Sequence, residues 1–208
     1  MGVKIKIVST VSDEQFKYVN DFIAALQEVD ELYYTYTTAS GEKKYPERVF
    51  AYELYHQFRK IMESKGSEFS GVYLNGEQTK NKKVVPILEQ CAPDLILHKC
   101  VYEVQPNNQL WLCEIKMKGN QNATSDLDKF NKMAPLQFPC YVFLYAGVTY
   151  EEMRDEIKNL KRLTNTEFYL KTICISSYNY NGVKQIHCHS LKDIVENVID
   201  SHANEPQL

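Results

Sequence analysis

Two periods of apolar residues alternate along the chain, and each change of period marks a change of element. Over residues 13 to 29, Phe16, Val19, Phe22, Ile23 and Leu26 fall on one side of a helix, with Ser12 as its N-cap and Gln15 three positions on. A second helix is predicted from Pro46, which suits a first turn, to about Ser64 before Gly66. Its apolar side carries Phe50, Leu54, Phe58 and Ile61. Between the two lie a Tyr-Thr-rich piece, Leu32 to Thr38, and the polar link Ala39 to Tyr45. The tyrosines there suit base stacking or, as simply, a β-strand.

Shorter runs rich in β-formers predict strands near Phe69 to Leu74, Lys83 to Leu88, Leu95 to Lys99, Leu110 to Lys118, Cys140 to Ala146, Glu167 to Ser176 and Val183 to His187. Helical periodicity returns from Thr124 or Ser125 to Met133, from Thr149 to Leu163 and from Leu191 to Val198. His202 to Leu208 reads as a frayed tail, and no internal repeat is present. The mixture of strands and helices predicts an α/β fold.

Composition narrows the class. With 208 residues and 44% hydrophobic content, the chain is expected to form one domain over 1–208 with its own core. The longest apolar run, Tyr141 to Val148, is far short of the ~20 residues that cross a bilayer, and residues 1 to 6 hold no signal-like block, so a cytoplasmic protein without a membrane partner is expected. A formal net charge of −3 argues against a protein that coats nucleic acid by charge alone. Any such grip must be local, and Lys80, Lys82 and Lys83, Lys116 and Lys118, and Lys158, Lys161 and Arg162 are its candidate sources. The cysteines at 91, 100, 113, 140, 174 and 188 form no C-x-x-C pair and read as reduced. His187-Cys188-His189 reads as a half-exposed strand, since the histidines face away from the cysteine and no second ligand pair completes a zinc site.

The candidate chemistry lies in Pro93-Asp94 and in Leu110-Trp111-Leu112-Cys113-Glu114-Ile115-Lys116-Met117-Lys118. On a strand, Leu112, Glu114, Lys116 and Lys118 share one face, while Trp111, Cys113, Ile115 and Met117 share the other. Acid-any-lysine also occurs at Glu42/Lys44, Glu63/Lys65 and Glu156/Lys158, but those lie in a polar loop and in helices. Glu114 alone follows a Pro-Asp at hairpin distance. If Pro106-Asn107-Asn108 turns the chain and Lys99 faces Leu110, then Asp94 faces Ile115 and the two acids become neighbours. Extension of the first strand through Val101 to Gln105 is the alternative, and it would slide them apart. On the second helix, Glu47 falls amid the buried side and Glu53 roughly 120° away. Glu47 is read either as a first-turn acid favoured by the helix dipole or as a third acid of the site.

This arrangement resembles the PD-(D/E)xK superfamily of restriction-endonuclease-like nucleases over about Pro46 to Gly147. The resemblance implies an α-β-β-β-α-β core with a mixed central sheet flanked by helices at about 46–147, an N-terminal helical addition at 1–45 and a C-terminal α/β addition at 148–201. It makes Glu47 the upstream acid, and Asp126-Leu127-Asp128-Lys129-Phe130 is similar to a segment from which a lysine reaches the site. Asp94, Glu114, the Ile115 main-chain carbonyl and Glu47 are then expected to hold Mg²⁺, with Mn²⁺ as substitute. Lys116 would orient the attacking water or stabilise developing charge. Lys129, Lys118, Lys82 and Lys83 would contact nucleic acid. The implied activity is DNA endonucleolysis in restriction, defence or repair, by a homodimer or with a protein partner. The competing expectations are a catalytically silent module that binds nucleic acid or a partner protein, and cleavage of RNA or a junction.

Overall fold

The computed structural model describes residues 7–8, 13–76, 92–99, 108–119, 123–134, 137–158 and 167–196. The expected strand Lys83 to Leu88, with Lys82 and Lys83, lies outside them, as do the Ser12 cap and the tail. In chain order the elements are β1 (Ile7–Val8), α1 (Asp13–Glu28), β2 (Tyr36–Thr37), β3 (Lys43–Lys44), α2 (Glu47–Ser64), β4 (Tyr73–Gly76), β5 (Leu95–His98) and β6 (Gln109–Met117). They continue with α3 (Ala123–Met133), β7 (Tyr141–Ala146), α4 (Tyr150–Lys158), β8 (Thr172–Tyr180), β9 (Val183–Ser190) and α5 (Leu191–Val195). The fold is α/β, and among the described residues between 46 and 147 the elements run α2, β4, β5, β6, α3 and β7.

One mixed sheet runs in the order β1-β9-β8-β7-β6-β5-β4, while β2 and β3 form a separate hairpin. β5 runs antiparallel to both of its neighbours, β4 and β6; β6, β7 and β8 are parallel, with α3 and α4 as their connections, and β9 returns antiparallel to β8. Helices cover both faces, so β6 and β7 are buried on both sides.

Residues of α1 and α2 pack on the Trp111, Cys113, Ile115 and Met117 face of β6. The rings of Phe22, Phe58 and Trp111 meet there with centroids 5.2 to 5.8 Å apart, in the tilted and edge-on arrangements that aromatic pairs favour. Residues of α3, α4 and α5 pack on the other face, against Leu112, Tyr141, Phe143 and Tyr145. α1 is anchored by a residue far along the chain: Lys184 of β9 donates through Nζ to the main-chain carbonyls of Leu26 at 3.1 Å, Gln27 at 2.7 Å and Val29. These are carbonyls that a helix C-terminus leaves without internal partners.

Several boundaries differ from the sequence reading. Leu32 to Thr38 divides into a 3₁₀ turn at Glu31–Tyr33, capped by the Asp30 carboxylate, and the two residues of β2. Phe69 ends a 3₁₀ turn rather than opening a strand, and β4 starts at Tyr73. Glu167–Lys171 is 3₁₀, so β8 starts at Thr172 and runs on to Tyr180. Pro46 is the N-cap of α2 rather than its first turn.

Candidate active site

Asp94 lies immediately before β5, behind the buried Pro93. The β5–β6 register pairs Leu95 with Cys113, Ile96 with Leu112 and Leu97 with Trp111, and then shifts between Leu97 and His98. Extended by one residue, it sets Asp94 level with Glu114, not with Ile115 as the turn geometry alone suggested. On the turn side His98 pairs with Gln109, two residues short of the expected register, and the irregularity beside His98 restores one of the two; the one-residue difference that is left exchanges the faces of a strand. Asp94 therefore belongs to the face of Ile96, Leu112 and Glu114.

The main chain ties the pair together. The Ile115 amide donates to Asp94 Oδ2 at 2.6 Å. Leu112 and Lys118 turn their amides toward β7, bonding the Cys140 and Ala146 carbonyls, which leaves the odd-numbered residues of β6 facing β5. Amide and carbonyl of one strand residue leave on the same flank, so the Ile115 carbonyl is on the β5 side as well.

Glu114 is completely buried. Its register partner on β7 is Phe143, whose ring contacts Phe130 and Tyr145 at centroid distances of 5.7 and 5.0 Å. This dry wall has an electrostatic consequence. Burial, reinforced by the neighbouring Asp94 charge and opposed by Lys129, pushes the Glu114 carboxyl up to about 8. Burial likewise raises Asp94 to about 6, against the Ile115 amide and Lys129, with Glu47 adding to the rise. Glu47, in the first turn of α2, is thus near enough for its charge to act on Asp94. Glu53 is engaged elsewhere, accepting from Gln57 Nε2 at 2.5 Å.

α3 completes the corner. Lys129 Nζ stands 2.6 Å from Glu114 Oε2 and 3.2 Å from Asp126 Oδ1. Lys116 Nζ stands 3.1 Å from Asp126 Oδ2. Glu114, Lys129, Asp126 and Lys116 thus form a chain of alternating sign. The resemblance has a lysine of this segment reach the site as well as contact nucleic acid, and the Lys129 ammonium does reach Glu114. Burial works against that charge, but the Glu114 and Asp126 carboxylates more than offset it and raise its pKa. Lys118 is more exposed and pairs with Glu152 of α4 at 3.0 Å.

Asp126 is the member that the sequence reading left without a role. Its side chain is fully buried. A signal was present: Asp126, Phe130 and Met133 recur at i, i+4 and i+7, which sets the acid on the apolar stripe of α3.

The donor set is one of hard oxygens. Asp94, Glu114 and the Ile115 carbonyl suit a cation such as Mg²⁺, which takes one or two carboxylates and keeps several waters. Glu114 Oε1 is buried without a hydrogen-bond partner, and a cation would satisfy it. Among the described residues no three acid, histidine or cysteine side chains are gathered in ligand geometry as they stand. His187 and His189 are engaged differently, their rings 5.6 and 4.4 Å from that of Tyr150, while Cys188 is buried against the opposite face. Cys113, Cys140, Cys174 and Cys188 carry no disulfide. Among the described residues, no helix is long and apolar enough to cross a membrane.

Comparison with protein-family models, with curated proteins and with solved structures finds no match to this chain.

Proposed function

We propose that this chain is a restriction-endonuclease-like, divalent-cation-dependent phosphodiesterase that hydrolyses DNA within the strand. The observation that carries the reading is the corner at the head of β5: Asp94 level with a fully buried Glu114 that keeps one oxygen unpartnered, and Lys116 two residues further on the same face. A carboxylate costs several kcal/mol to bury unless it is matched by charge or ligation, so such a group is poorly accounted for by packing.

Asp94, Glu114, the Ile115 carbonyl and, from α2, Glu47 would hold Mg²⁺ or Mn²⁺. Bound there, the cation supplies a Lewis acid that neutralises phosphate oxygens and makes a water more acidic. Asp126 holds the Lys116 ammonium beside the acids, where it orients the attacking water and offsets charge that develops on the phosphate. The Phe130, Phe143 and Tyr145 wall keeps bulk solvent from weakening these interactions.

A second reading, a catalytically silent module that binds nucleic acid or a partner protein, is favoured by the Lys129 ammonium, which compensates Glu114 without any metal. Purified protein incubated with supercoiled plasmid and with linear DNA, in Mg²⁺, Mn²⁺ or chelator, separates the two. The nuclease reading expects metal-dependent nicking that Asp94→Ala, Glu114→Ala and Lys116→Ala each reduce by about 10²–10³ or more while the fold is kept. Cutting that survives in all three variants would sink it, and wild-type protein that binds DNA without cutting it would favour the silent module.

A further inference from the structure

The cluster contains two acids and two lysines in strict alternation, and its members differ in their freedom to move. Glu114 and Asp126 are fully buried, and Lys116 leaves the nine-residue strand β6 with its side chain only 11% exposed. Lys129 is the exception, with 30% of its side chain exposed and a long, flexible stem. Its ammonium touches two carboxylates, Glu114 Oε2 at 2.6 Å and Asp126 Oδ1 at 3.2 Å. The two contacts are unequal in consequence. The Glu114 oxygen belongs to the group that would ligate the cation, whereas Asp126 lies three residues from Lys129 on its own helix, where i,i+3 side chains are neighbours.

A divalent ion on Glu114 Oε1 and an ammonium on Oε2 would stand only a few ångströms apart, and like charges that close repel strongly in a dry site. Lys129 need not be expelled into water when they compete. It has only to give up Glu114 and keep Asp126, a shift within contacts it already makes. Asp126 meanwhile holds Lys116 through its other oxygen at 3.1 Å.

Resting on the metal-dependent reading above, we infer that Lys129 is a built-in competitor of the divalent cation at Glu114, and that Asp126 is a positioning residue with two berths, one for Lys116 and one that receives Lys129 when the cation enters. The metal-free site is thereby kept charge-balanced, and cation entry moves a positive charge from Glu114 to Asp126 without disturbing Lys116.

Calorimetric titration of Mn²⁺ into wild type, Lys129→Gln, Asp126→Asn and Asp126→Glu tests both parts. Lys129→Gln is expected to lower the metal-free melting temperature and to tighten Mn²⁺ binding by about tenfold, of the order of outer-shell effects at metal sites. Asp126→Asn is expected to weaken Mn²⁺ binding by a similar factor, because the displaced ammonium loses its receiver, and Asp126→Glu to restore most of the affinity. A measurement on the unaltered protein covers variants that fail to fold. In ¹⁵N-lysine NMR, the Lys129 ammonium is expected to shift on addition of Mg²⁺ while that of Lys116 stays in place. Equal Mn²⁺ affinity in wild type and Lys129→Gln, or a Lys129 signal indifferent to saturating Mg²⁺, would overturn the inference and leave the metal reading intact. Absence of metal binding in every variant would remove the metal reading itself.

Discussion

The two faces of β6 are equally buried and chemically opposite. Trp111, Cys113, Ile115 and Met117 on one face, and Leu112 and Glu114 on the other, are all 0% exposed. The first face is completed by rings and aliphatic groups from α1 and α2. Its one unpartnered polar atom on β6, the Trp111 indole N–H, is neutral and surrounded by aromatic rings. The second face holds a carboxylate with an orphaned oxygen, and its charges are balanced by lysines rather than by packing. Burial alone therefore does not separate core from site. What separates them is whether the buried polar atoms are satisfied by the fold itself.

The largest effect on stability is expected from the apolar face. Trp111→Ala removes a ring packed on Phe22 and Phe58 and should cost about 3–5 kcal/mol in chemical denaturation. A cost under about 1 kcal/mol would mean that the helices can close over the gap and that this face is not the firm support of β6.

The site face should be the one that responds to pH. Asp94 and Glu114 have folded pKa values of about 6 and about 8, raised from 3.8 and 4.5. An acid whose pKa rises on folding stabilises the fold below its unfolded value and loses that contribution as pH climbs through the folded one. In chelator, the melting temperature should therefore fall between pH 4 and pH 8, and Glu114→Gln should flatten the upper part of the fall. Lys129, raised above 10.5, acts only at higher pH and does not mask this. A flat wild-type profile would contradict the electrostatic account of the corner.

The smallest effect returns to the first face. Tyr34 and Ser177 share a buried 2.6 Å hydrogen bond between their hydroxyls. Ser177→Ala should cost about 1–3 kcal/mol, at the lower end if the Tyr34 hydroxyl finds another partner. Its measurement by denaturation should show no change in pH dependence, which would distinguish a satisfied polar pair from the unsatisfied one across the sheet.

β6 was legible in the sequence because nine residues of period-two alternation suit a strand and no helix, and Pro93-Asp94 stood out because that dipeptide occurs once. Phe50, Leu54 and Phe58 turn inward from α2 as the 3.6-residue period requires. The misses were matters of partnership. The exact register of β5 depends on an irregularity at His98 that no local pattern marks. Glu167 to Lys171 has strand-like composition but forms a 3₁₀ turn before β8. Asp126 reads as one acid among several until Lys116, from another element, arrives beside it. For β5 and Asp126, the deciding contact comes from another element.

The Lys184 anchor carries a consequence for the order of events during synthesis. Its carbonyl partners in α1 and just after it precede it by 155 to 158 residues, and the Tyr34–Ser177 bond spans 143. A ribosome-bound chain can seat α1 on α2 and β6 once these have emerged, but the carbonyls at its C-terminal end wait for Lys184 until β9 follows. Chains stalled before residue 184 should therefore be open to proteases at the C-terminal end of α1, and emergence of β9 should close it.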